Sequence, residues 1–152
     1  MAPPRKSGRS SRRSSARGSR GSGSPSAARG RGVKIRRVGA GEFVAAVMNS
    51  PVPVLVDFYA DWCAPCKTVE PRLQRLAVEV GASARIVKVD ADREKALMKR
   101  QRVQTLPTWI LFQGGREVLR KEGPKDLPRV EERLRALIRE ERQGDQPSPG
   151  SP

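Results

Sequence analysis

Val54-Leu55-Val56-Asp57-Phe58-Tyr59, followed after three residues by Cys63-Ala64-Pro65-Cys66-Lys67-Thr68-Val69-Glu70-Pro71-Arg72-Leu73-Gln74-Arg75-Leu76-Ala77-Val78-Glu79-Val80, decides the fold of this chain. The first six residues form a nearly unbroken apolar run with one acid embedded in it, the pattern of a strand buried on both faces. In the second stretch Val69, Leu73, Leu76 and Val80 recur at helical spacing, which predicts a long amphipathic helix ending at Gly81. Pro71 inside it predicts a kink.

Upstream, Val33-Lys34-Ile35-Arg36-Arg37-Val38 alternates with a period near two and reads as an edge strand. Glu42 to Met48 places Phe43, Val44, Val47 and Met48 on one helical side, and Pro51 and Pro53 forbid continuation. Downstream, Arg85 to Asp90 is strand-like, and Arg93 to Arg100 is a charged, helix-prone stretch around Ala96, Leu97 and Met98. Thr108 to Phe112 and Glu117 to Arg120 flank Gln113-Gly114-Gly115-Arg116, which predicts a hairpin. Asp126 reads as the N-cap of a last helix carrying Val130, Leu134, Leu137 and Ile138 as one stripe, with Pro128 in its first turn. The order β-α-β-α-β-α-β-β-α predicts an α/β domain: a central mixed sheet of four to five strands flanked by four helices.

The chain of 152 residues is the size of one domain, and its ends do not read as foldable. Residues 1–32 are mostly Ser, Gly, Arg and Pro, too poor in apolar side chains to offset their ordering entropy, and are expected to be disordered. The domain is placed at 33–142, and 143–152 reads as a second disordered tail. From Met1 to Arg37 there are 12 Lys or Arg and no acid, so of the net charge of +15 only +3 belongs to the rest. The basicity is therefore a property of the leader, and does not by itself make the domain a nucleic-acid binder. No apolar run approaches the roughly 18 residues a membrane span needs, and the N-terminus lacks the apolar stretch of a secretory signal.

Two cysteines three positions apart are not the framework that staples small secreted domains. At the start of a helix, unpaired N–H groups and the positive end of the dipole favour thiolate over thiol at Cys63 and make it a nucleophile. Cys66, one turn on and expected to lie deeper, is placed to resolve a mixed disulfide formed at Cys63. Other readings compete. A zinc site takes about four ligands, where this chain has two Cys and no His, and a structural disulfide would close too short a loop to stabilise much.

Val56-Asp57-Phe58-Tyr59-Ala60-Asp61-Trp62-Cys63-Ala64-Pro65-Cys66-Lys67 resembles the active-site strand and helix start of the thioredoxin family, which carries its redox dithiol in a C-x-x-C motif. Pro71, Leu106-Pro107-Thr108 and the Gly114-Gly115 turn stand where that family has matching features, and the resemblance covers roughly Val33 to Arg142. It implies a thioredoxin fold and a protein-disulfide reductase that needs no cofactor or metal. It implies that Asp57 lies buried beneath Cys66 as its proton acceptor, with desolvation raising its pKa, and that Lys88 lies near enough to temper its charge. It further implies a cis peptide at Pro107, with Leu106, Pro107, Thr108 and Trp62 meeting the substrate, and a rigidifying role for Pro65. Ala64 stands where glycine is usual in the family, which bears on partner choice more than on sulfur chemistry.

The partners so implied are disulfide-containing proteins and a thioredoxin reductase, ferredoxin- or NADPH-linked, acting on a monomer. The acid-free Arg/Ser leader resembles organelle transit peptides, and the stretch Leu106 to Phe112 resembles plastid y-type thioredoxins, so the plastid stroma is the expected compartment, with the cytoplasm as alternative. As the lesser alternative, the leader's Arg-Gly and Ser-Arg steps suit salt-sensitive contacts with nucleic acid or an anionic surface, which leaves open a tethered binding module on the same fold.

Overall fold

The computed structural model describes residues 2–4 and 35–145. The leader beyond residues 2–4, Val33 and Lys34 of the first predicted strand, and residues 146–152 of the tail lie outside them.

Five strands form one sheet in the order β1-β3-β2-β4-β5: β1 Arg36–Arg37, β2 Val54–Tyr59, β3 Arg85–Asp90, β4 Thr108–Gln113 and β5 Arg116–Glu122. β1 and β2 run parallel to β3, whereas β4 is antiparallel to both β2 and β5. The helices are α1 Ala40–Phe43, which widens into a π-type turn over Val44–Met48, α2 Ala64–Val80, α3 Lys95–Arg100 and α4 Leu127–Gly144. The first helix therefore starts two residues before the predicted Glu42, and the last continues through Gly144, past the predicted end of the domain at Arg142. Among the described residues β1 pairs over Arg36 and Arg37 alone, both exposed, with buried Ile35 and Val38 on either side.

β2 is central because it can be buried on both faces, and all six of its residues are. Alternation turns Val54, Val56 and Phe58 toward one core and Leu55 and Asp57 toward the other. The first core joins Phe43 and Val47 with Leu97, Ile110 and Phe112, where the Phe43 and Phe112 rings meet edge to face at 5.9 Å. The second packs Leu55 and Trp109 against Val69, Leu73 and Leu76 of α2 and Val130, Leu134 and Leu137 of α4. Thus α2 covers the face from which Asp57 projects.

Gly114 and Gly115 form the two-residue hairpin turn with φ of 57° and 78°. Positive φ at both positions suits glycine, and a side chain at Gly115 would also come within 3.0 Å of the Met48 carbonyl oxygen. Gly81 caps α2 at φ 51°, as its sequence position predicts, and α2 continues through Pro71. Asp126 does occupy the N-cap of α4, but its side chain accepts no capping hydrogen bond, because a 3-10 turn over Pro124–Asp126 leads directly into the helix.

One tie between α2 and α4 has no sequence signature. Glu131 is 4% exposed and takes a bidentate pair from Arg72, with both N–O distances 2.7 Å. Arg72 keeps 45% of its side chain in solvent, so the attraction is partly screened. Glu131→Ala is expected to lower unfolding free energy by about 1 kcal/mol in a denaturant titration while leaving disulfide reduction intact. An unchanged midpoint would show that the pair adds nothing.

Candidate active site

The cysteines sit where β2 hands the chain to α2. Cys63 is the N-cap of that helix in extended conformation (φ −81°, ψ 102°), and its sulfur accepts the Cys66 backbone N–H at 3.3 Å. A cysteine thus fills the position that Ser or Asp usually takes at a helix start, which puts a free helical N–H on sulfur. Ala64 and Pro65 follow in the first turn, where a proline has no intrahelical donor to lose. The sulfurs of Cys63 and Cys66 are joined as a disulfide, with Cα atoms 5.3 Å apart. Cys66 is not the more buried of the two in this oxidised form: Cys63 and Cys66 are 4% and 5% exposed.

Around the pair, Tyr59, Ala60, Leu106 and Ala91 make an apolar collar. Pro107 follows a cis peptide after Leu106, as the resemblance implies, and is buried beside the half-buried leucine. Thr108 is fully buried and its hydroxyl donates to the Thr105 carbonyl oxygen, so that side chain faces inward and away from solvent. Trp62, in contrast, is 70% exposed. Its indole N–H donates to the Asp92 carboxylate, at 3.0 and 3.2 Å to the two oxygens.

Asp92 was not legible as a site residue, yet a signal existed. Tyr59 pairs with Asp90 in the parallel register of β2 and β3, so the residues just after both strands emerge at the same end of the sheet. That end is where open α/β sheets place their sites.

Asp57 lies under α2, flanked in register by Lys88 on β3 and Trp109 on β4. It is 1% exposed, and neither carboxylate oxygen nor the Trp109 indole nitrogen has a hydrogen-bond partner. Burial is the main reason its pKa is raised from 3.8 to about 7; the Lys88 charge works against the rise, the Glu70 charge adds to it, and the neighbouring Trp109 N–H, although outside hydrogen-bond geometry, also works against it. Lys88 does not pair with Asp57 as the register alone suggests. Its ammonium donates to Glu70 on α2 at 2.6 Å and lies 4.1 Å from the centre of the Tyr59 ring. An open cavity of about 320 Å³ runs beside Cys66, lined by Tyr59, Asp61, Lys67, Glu70 and Lys88. Among the described residues no cluster of three or more His, Cys, Asp or Glu is arranged to hold a metal, and no helix is long and apolar enough to cross a membrane.

A dithiol pair at the N-terminus of a helix, fed by a buried parallel strand that carries an unpartnered acid, defines a thiol–disulfide oxidoreductase. The chain belongs to the thioredoxin family, whose model matches residues 34–136. It is 35% identical over 96 residues to a thioredoxin-like protein of Synechocystis sp., covering 63% of this chain and 91% of that one. It is 39% identical to the chloroplastic thioredoxin X of Arabidopsis thaliana, covering 68% of this chain and 58% of the relative. Over 49% of this chain and 45% of the relative it is 40% identical to the chloroplastic thioredoxin Y of Oryza sativa subsp. japonica. The crystal structure of thioredoxin from Trypanosoma brucei brucei superposes with a TM-score of 0.64 at 29% identity, over 73% of this chain and 96% of that one. The protein is accordingly a protein-disulfide reductase. The alternative of a tethered binding module is not favoured by these likenesses.

Proposed function

We propose that Cys63 is the attacking sulfur, Cys66 the resolving one and Asp57 the acceptor of the Cys66 proton. The observation that carries this reading is the Cys63–Cys66 bond at the N-cap of α2, on the sheet face where Asp57 stands buried without a partner. In the reduced protein, helical N–H groups favour the Cys63 thiolate. That thiolate displaces one sulfur of a substrate disulfide, forming a Cys63–substrate bond and releasing a thiolate that takes a proton from water. Cys66 then gives its proton to Asp57 and attacks the Cys63 sulfur. The second substrate sulfur leaves as a thiol once protonated, and the Cys63–Cys66 disulfide closes. Two electrons have passed to the substrate, and a thioredoxin reductase, ferredoxin- or NADPH-linked, returns them.

Trp62, Leu106 and Pro107 supply the apolar rim on which the substrate segment docks, and Thr108 holds the Leu106–Pro107 step from behind through its bond to Thr105. Pro65 restricts the backbone between the sulfurs, and Lys88 modulates the acid. The test is Cys66→Ser. With resolution blocked, mixed disulfides are expected to accumulate and to map by peptide sequencing to Cys63; adducts absent from Cys63 would end the assignment.

The leader, residues 1–32, is proposed as a transit peptide delivering the domain to the plastid stroma. This is supported by its acid-free Arg/Ser composition and by the chloroplastic relatives of the domain. Fused to a fluorescent protein, it should carry the fusion into isolated plastids, and retention outside them would remove the assignment.

A further inference from the structure

The sheet register sets Lys88 beside Asp57, so its ammonium is in position to pair with the buried carboxylate. It is drawn off instead. Glu70, four residues after Cys66 on α2, takes the Lys88 ammonium at 2.6 Å, and the Tyr59 ring supports the same ammonium from one side at 4.1 Å. Gln74 fixes the other oxygen of Glu70 by donating to it at 3.1 Å. Both oxygens of Asp57 are without a hydrogen-bond partner. Glu70, Tyr59 and Lys88 line the cavity that borders Cys66, so this ion pair forms part of its wall.

We propose that Glu70 is a positioning residue of the cysteine site: it holds the Lys88 ammonium away from Asp57 and so keeps that carboxyl group available for the Cys66 proton. The inference rests on the reading of Asp57 as proton acceptor. The groups acting on Asp57 are Lys88 from β3, Glu70 from α2 and the Trp109 N–H from β4, while Cys66, Asp61 and Lys67 line the cavity that Lys88 and Glu70 also border. Only Lys88 among the charges next to it in register can stabilise the carboxylate, and its side chain is just 15% exposed. Freed from Glu70, that ammonium finds its best remaining anion in Asp57, which would then ionise more readily and accept protons less well.

Asp57 in the oxidised full-length protein can be followed by carboxyl carbon NMR across a pH titration in the parent, Glu70→Gln, Lys88→Met and the double variant. Glu70→Gln is expected to lower the Asp57 midpoint by roughly one pH unit. In the Lys88→Met background the same substitution should move it by clearly less, because no ammonium is left to release. The pH profile of mixed-disulfide resolution should shift downward in step. An unmoved midpoint in Glu70→Gln overturns the inference, as does an equal shift in both backgrounds, which would mean direct repulsion between the two acids. A purely structural role would change the melting temperature and leave the midpoint in place. An ordinary carboxyl midpoint in the parent itself would be a different failure, removing the reading of Asp57 and this inference with it.

Discussion

Cys63→Ser is expected to bring reduction of a protein disulfide down to the uncatalysed background while the fold persists. A hydroxyl at the N-cap of α2 still accepts the Cys66 N–H, and serine is among the residues that favour that position, so the helix start is preserved. What disappears is the nucleophile: an un-ionised hydroxyl does not attack sulfur near neutral pH, whereas a thiolate does. The measurement is the rate of disulfide reduction under a coupled reductase, together with circular dichroism to confirm folding. Turnover equal to the parent's would remove the chemistry assigned to this pair.

The second large effect concerns Asp57. Stability of the oxidised protein is expected to fall as pH rises from about 4 to about 7, and Asp57→Asn is expected to abolish that fall. The direction follows from proton counting. Below the ordinary carboxyl value of 3.8, the group is protonated in folded and unfolded chains alike and contributes nothing. Between there and the folded-state value of about 7, the unfolded chain has lost the proton and the folded one keeps it. The unfolded state then binds fewer protons, so unfolding becomes easier with pH, and the penalty is complete above the folded value. A shift of roughly three units corresponds to about 4 kcal/mol, at 1.36 kcal/mol per unit. Asparagine carries its own burial cost, but one that does not change with pH. Denaturant titrations at several pH values decide the matter: equal slopes in parent and variant would show that Asp57 ionises as an ordinary carboxylate. The same variant should slow release of substrate from the mixed disulfide, since Cys66 loses its acceptor.

Much of this site was readable because its signals are local. The apolar run Val54–Tyr59, the helical stripe from Val69 to Val80 and the paired glycines at 114 and 115 each express a periodicity or a φ requirement within a few residues. The C-x-x-C spacing likewise puts both sulfurs on one helical turn, and the resemblance supplied the cis peptide at Pro107. The details differ where such signals fade. The alternation of Val33 to Val38 carries only a two-residue ladder among the described residues, and the helix around Phe43 opens into a wide turn ahead of Pro51. Asp126 is a preferred N-cap residue whose cap is pre-empted by the turn before it.

The pairings that tune the site cross long distances in sequence. Glu70 reaches Lys88 across 18 residues, Trp62 reaches Asp92 across 30 and Arg72 reaches Glu131 across 59. The sequence by itself determined which segments are strands and helices, and that a reactive sulfur pair opens the longest interior helix. Only the tertiary structure decided that Lys88 pairs with Glu70 and that the buried Asp57 carboxylate has no hydrogen-bond partner. Periodicity is a property of neighbours along the chain, whereas the partner of a buried charge depends on which elements the sheet order and helix packing bring face to face.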